Sequence, residues 1–124
     1  MKHEQLLDLI HNIFEKVRTI HTEGQKEYAM DEDNVFANFE RISKQTDIDR
    51  KMVLWVYLMK HIDGICSYIK GHRSQREKVQ GRLTDAIVYL CILWGMIEDI
   101  QYPDKSIHYV KRIKEWEWRN TLIS

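Results

Sequence analysis

Met52-Val53-Leu54-Trp55-Val56-Tyr57-Leu58-Met59-Lys60-His61-Ile62-Asp63-Gly64-Ile65-Cys66-Ser67-Tyr68-Ile69 contains no proline and a single glycine. Met52, Trp55, Val56, Met59, Ile62, Ile65, Cys66 and Ile69 recur at spacings of three and four. That is the period of one helix face, so the run predicts a long helix. Asp47 or Asp49 can cap its start, and Gly71 can end it.

The same period extends upstream. Leu6, Leu7, Ile10, Ile13, Phe14, Val17 and Ile20 make one apolar stripe on a helix from about His3 to Thr22, with Gly24 as its stop. A polar connector leads to Asp33. Asp33 or Asn34 can cap a short helix through about Lys44, with Phe36, Phe39 and Ile42 inward. Downstream, Ser74 to Gln80 is polar and reads as exposed. A fourth helix covers about Gly81 to Gln101. It is apolar on most faces and is expected at the buried centre of a bundle or an oligomer. Pro103 breaks it. The tail from Ser106 to Ile123 alternates basic residues with Tyr109, Ile113, Trp116 and Trp118, which predicts a last amphipathic helix. The expected fold is all-α, one domain spanning 1–124, a helical bundle of about five helices.

Composition narrows the function classes. The chain has 124 residues, with 19 basic and 19 acidic side chains that cancel. Bulk charge therefore leaves no footprint for duplex nucleic acid or for an anionic membrane. Cys66 and Cys91 lie in apolar helical stretches and read as reduced core thiols. The N-terminal residues carry no signal-peptide pattern, and the apolar run from Ala86 to Ile97 is too short to span a bilayer. The expectation is a soluble, cytoplasmic protein.

The segment from Lys26 to Arg41 gathers Lys26, Tyr28, Asn34, Phe36, Asn38, Phe39 and Arg41. A core helix needs the rings but not the two asparagines between them, because Asn competes with the backbone for hydrogen bonds. A polar site with aromatic walls accounts for the cluster. So does a helix cap with core rings.

Other groupings follow. Lys60, Asp63 and Ser67 form a polar strip beside the apolar stripe, either a seam facing a cleft or an exposed ion pair. Arg82, Asp85 and Tyr89 share one face of the most apolar helix. A charged strip there is expensive unless paired or functional; the plainer account is an Asp stabilised by the helix dipole. Lys70, His72, Arg73, Arg76 and Lys78 make a basic loop that is either solvated or a phosphate contact. Glu23 and Glu27, four apart, would share a face and hold a divalent cation if the first helix ran past Gly24; otherwise they are a solvated acidic turn. The six histidines show no zinc-pair spacing.

The order Lys-x-Tyr, an Asn/Phe-rich short helix, Lys-His-x-Asp, then Arg-x-x-Asp-x-x-x-Tyr-Leu resembles small phage-encoded helical proteins of the nucleotide-metabolism type. These are distantly similar to the MazG-like all-α nucleoside triphosphate pyrophosphatases. The resemblance covers about Lys26 to Glu98. It implies carboxylates holding Mg²⁺ against a triphosphate. Asp85 matches the final Asp of the family's Glu-x-x-Asp, but Arg82 stands where its Glu belongs, and the Glu-Glu-x-x-Glu motif has no clean counterpart.

The expected function is a nucleotide-binding protein, plausibly phage-encoded and working in the host cytoplasm. It would recognise or sequester a nucleotide or nucleotide-derived signal, as a sponge would, without obligatory hydrolysis. Tyr28, Phe36 or Phe39 would stack on a base, and Asn34 or Asn38 would read a base edge or ribose. Lys26, Arg41, Arg73, Arg76 and Arg82 are phosphate candidates. Lys60, Asp63, Asp85 and Tyr89 would complete the site. The alternative is a Mg²⁺-dependent pyrophosphatase with Glu23, Glu27, Asp63 and Asp85 as metal ligands. A third is a protein-interaction module using the Trp116/Trp118 tail. A homo-oligomer is expected from the apolar fourth helix and the aromatic tail.

Overall fold

The computed structural model describes residues 1–29, 34–73 and 76–101. Among them the fold is all-α, a helical bundle: α1 (His3–Gly24), a π-helical turn (Gln25–Ala29), α2 (Ala37–Thr46), α3 (Arg50–Ile69) and α4 (Val79–Gln101). The expected tail helix over 106–123 lies outside the described residues. No described helix is long and apolar enough to cross a membrane. The chain divides into two compact units, Met1–Leu93 and Trp94–Ser124; the features below belong to the first.

The helix boundaries follow local chemistry. Asn34 precedes α2 and its side-chain oxygen accepts from the Phe36 N–H at 3.1 Å, while its amide donates to Glu40 at 3.1 Å. Asp47 ends α2 in the left-handed region, φ 55°, which Asp tolerates better than most residues. Asp49 then caps α3 by accepting from the Lys51 N–H at 2.7 Å. The backbone hydrogen bond from Lys51, with the Lys51 ammonium behind it, holds the Asp49 carboxyl below its usual range. At the far end Gly71 takes φ 100°. Its N–H reaches the Tyr68 carbonyl at 3.0 Å, and the His72 N–H reaches Ser67 at 3.1 Å. This is the Schellman pattern, which satisfies the last carbonyls and favours glycine.

Gly24 does not stop the first helix. It lies inside α1, and the chain continues into the π-helical turn. On α3 the buried side chains are Val53, Leu54, Leu58 and His61. Met52, Trp55, Val56 and Ile69, part of the stripe expected inside, are exposed. The physical reason is that α3 is apolar nearly all round, so two stripes obey the same period. The one that packs inward carries a histidine. Cys66 and Cys91 are exposed free thiols rather than core residues. Within the first unit α4 is not buried all round either: Ala86 and Thr84 are buried, while Leu83 and Leu90 are exposed.

The core of the first unit centres on Phe39. Its ring meets Tyr57 of α3 edge-on at 6.2 Å and Tyr89 of α4 edge-on at 6.3 Å. Edge-to-face contact is favourable because the positive ring edge meets the negative face. One α2 ring thus ties three helices together. Leu54 and Leu58, almost wholly buried, form the α3 side of this core.

Candidate functional site

A half-open cleft of about 330 Å³ lies beside Phe39. Ile20, His21, Gly24 and Gln25 line it from the first helix and the turn after it; Val35, Asn38 and Phe39 line it from the second helix and its approach. α3 contributes His61, and α4 contributes Asp85, Val88, Tyr89 and Ile92. The volume falls at the low end of small-molecule sites, and the lining has their usual make-up, apolar walls with a few convergent polar groups.

The polar end is built around His61. The residue is 9 % exposed, and its Nδ1 is buried without a hydrogen-bond partner. Its ring stacks at a tilt on Tyr89, centroids 5.5 Å apart. The Asp85 Oδ2 lies 3.7 Å from Nδ1, close enough for charge attraction but beyond a hydrogen bond. Glu77 completes the group: donor atoms of His61, Glu77 and Asp85 all lie within 4.8 Å of one another. Burial raises the Asp85 pKa above the ordinary carboxyl value; His61 and Lys60 pull it down, and the neighbouring Glu77 pushes it up.

Two helical glycines make room here. A Cβ on Gly64 would sit 2.5 Å from the Arg82 Cδ and from its guanidinium, so Arg82 lies along the bare backbone of α3. A Cβ on Gly81 would sit 2.9 Å from the Glu77 Oε1. Glycine costs a helix interior about 1 kcal/mol relative to alanine. At these two positions it admits a charged side chain that a methyl group would crowd.

Of the residues expected in a site, the cleft gathers Asn38, Phe39, Asp85 and Tyr89. Phe39 is buried as a core ring rather than free to stack. Both polar ends of Asn34 are engaged in the approach to α2. Phe36 lies beneath the Arg50 guanidinium at 4.8 Å, and Arg50 pairs with Glu40 at 2.9 Å. Lys26 and Glu23 line a separate shallow groove on α1. Arg41, Lys60, Asp63 and Arg76 are exposed. Arg73 is exposed and covers the Tyr68 ring at 4.0 Å. The side chain of Tyr28 lies outside the described residues. Among the described residues, Asp85 gathers with His61 and Glu77, not with the Glu23, Glu27 and Asp63 expected beside it as Mg²⁺ ligands.

Sequence reasoning missed His61, Glu77 and His21. The available signal was the pair of helical glycines, Gly64 and Gly81, each an unfavourable choice unless something approaches closely. Comparison with family models, curated proteins and solved structures finds no match.

Proposed function

We propose that the cleft binds a nucleotide or nucleotide-derived small molecule. The observation that supports this reading is the convergence of Asn38, Tyr89, His61 and Asp85 in one half-open cavity with aliphatic walls. An amide reads a donor–acceptor edge in both directions. Ile20, Val88 and Ile92 offer apolar cover beside the Tyr89 ring. Phosphates would project toward the open side, with Lys60, near enough for its charge to act on Asp85, as a candidate cation. Binding without turnover suits a protein that sequesters a nucleotide signal, the role that the phage-like sequence pattern suggests.

The test is equilibrium dialysis of the full chain, in chelator, against nucleoside triphosphates, dinucleotides and cyclic nucleotides, with recovered ligand identified by mass spectrometry. One class of ligand is expected to be depleted and recovered intact. Asn38→Ala should weaken it at least tenfold, while Lys26→Ala leaves it unchanged. A panel that passes through unbound rejects the reading.

A second reading is metal-dependent pyrophosphate release of the MazG-like type. The adjacent carboxyl groups of Glu77 and Asp85 favour it, since paired carboxylates hold metal ions against phosphates. It predicts monophosphate and pyrophosphate only when a divalent cation is added. Self-association belongs to the same proposal. Leu6, Leu7, Ile10 and Phe14 are exposed along α1, and a light-scattering mass equal to one chain would remove it.

A further inference from the structure

His61 presents a chemical problem that its surroundings inside the chain do not solve. Burying an imidazole nitrogen without a partner is costly. The nearest acceptor, the Asp85 Oδ2, stands at 3.7 Å, and Glu77 brings a second carboxyl to the same spot. Two carboxyl groups side by side repel when both are ionised. A single proton shared between the carboxyl groups relieves that repulsion but leaves the buried Nδ1 without a partner at hydrogen-bond distance. A divalent cation among the three answers all of these conditions at once.

We propose that His61, Glu77 and Asp85 bind one divalent transition-metal ion, of the Zn²⁺ or Mn²⁺ class. This assignment does not depend on nucleotide binding. His61 would ligate through Nδ1 as the neutral imidazole, its proton on Nε2. The nitrogen donor selects against Mg²⁺ and Ca²⁺, which prefer all-oxygen shells. Metal–ligand bonds of about 2.1 Å put tetrahedral donors about 3.4 Å apart. The His61–Asp85 pair is already near that spacing at 3.7 Å. Glu77 lies just before α4 with its carboxyl over Gly81, where no Cβ hinders it from closing the remaining gap. Three protein donors leave a coordination position open, the arrangement of catalytic rather than structural sites. His61 and Asp85 both line the cleft, so the ion would lie beside the cavity.

Mn²⁺ is the probe of choice, because the exposed thiols of Cys66 and Cys91 are poor ligands for it. The full chain, without nucleotide, is titrated with Mn²⁺ and followed by electron paramagnetic resonance and by broadening of the His61 and Tyr89 ring signals in NMR. One saturable site is expected, broadening those two rings first. Zn²⁺ should displace the ion, and a hundredfold excess of Mg²⁺ should not. Glu77→Gln and Asp85→Asn should each weaken binding at least tenfold with unchanged helical circular dichroism. Glu77 precedes α4, so Glu77→Gln keeps the test valid even if His61→Asn does not fold. The proposal is overturned if no site saturates at millimolar Mn²⁺, if Mg²⁺ competes equally, or if both carboxamide variants bind like the parent protein.

Discussion

The cleft and the groove on α1 are both concave and both rich in polar side chains, yet they are unlike in physical terms. Glu15, Arg18, Thr19, Thr22, Glu23 and Lys26 line the groove, all from one face of a single helix and its continuation. Its threonine hydroxyls donate to their own helix, Thr19 to the Glu15 carbonyl at 3.2 Å and Thr22 to Arg18 at 2.8 Å. Its ion pair, Arg18 with Glu15, spans 4.0 Å between two mostly exposed side chains, a geometry worth little in water. The cleft takes its polar groups from several helices and places one atom among them, the His61 Nδ1, out of reach of solvent. The groove is lined by polar residues alone, whereas the cleft sets its polar groups among apolar walls. Desolvation separates them: of these two places, the cleft is the one with a described polar atom buried without a hydrogen-bond partner.

The largest expected effect that would break this contrast is Phe39→Ala. The ring fills the junction of three helices, and its loss should cost about 3–5 kcal/mol in urea denaturation. Lys26→Ala and Glu23→Ala, in the groove, should stay within about 0.5 kcal/mol. Equal effects from the two sets would mean that the cleft wall is not part of the core.

A pair of glycine substitutions sharpens the same point at smaller amplitude. Gly24→Ala meets nothing within 4 Å and should stabilise the protein by about 0.5–1 kcal/mol through its helix preference. Gly64→Ala gains the same preference but collides with Arg82, so it should be neutral or destabilising in thermal melts. If both stabilise alike, Arg82 does not need the bare backbone of α3.

The smallest effect concerns pH. The Asp85 pKa is raised in the folded chain, chiefly by burial. The folded state therefore holds this proton more tightly than the unfolded state. The associated stability is full below the ordinary carboxyl pKa and is lost as pH rises through the raised value. In chelator, Asp85→Asn should melt higher than the parent protein at neutral pH, and the difference should vanish near pH 3. A variant that melts lower at neutral pH would show that attraction to His61 and Lys60 outweighs the burial.

The helices were legible because period and caps are local signals, although Gly24 does not break α1 and α2, with Phe36 at its N-cap, starts without a side-chain cap. Asp49, Gly71 and the approach from Asn34 do what such residues do anywhere. What the sequence hid was which way α3 faces. Its apolar residues cover nearly the whole circumference, so Met52–Trp55–Val56 and Leu54–Leu58–His61 are equally good stripes on paper. Choosing the first turned His61 outward. Asp85 was recognisable as a charge on an apolar helix, but its partners come from α3 and from the residues before α4. Pairing across helices depends on how they align, and no spacing along the chain reports that. Gly64 and Gly81 carried the missing information as costs to helix stability, not as a motif.

α2 has a further consequence. It is ten residues long, shorter than helices that persist alone in water, and Phe39 is its buried anchor. One wall of the cleft, Asn38 and Phe39 with Val35 just before them, therefore stands on or beside the shortest α-helix of the described residues, while His61 and Asp85 stand on helices of twenty residues or more. Amide exchange should run faster through α2 than through the centre of α3. Any occupant that touches both this wall and the longer helices would slow it, so the short helix serves as the cleft's own reporter of occupancy.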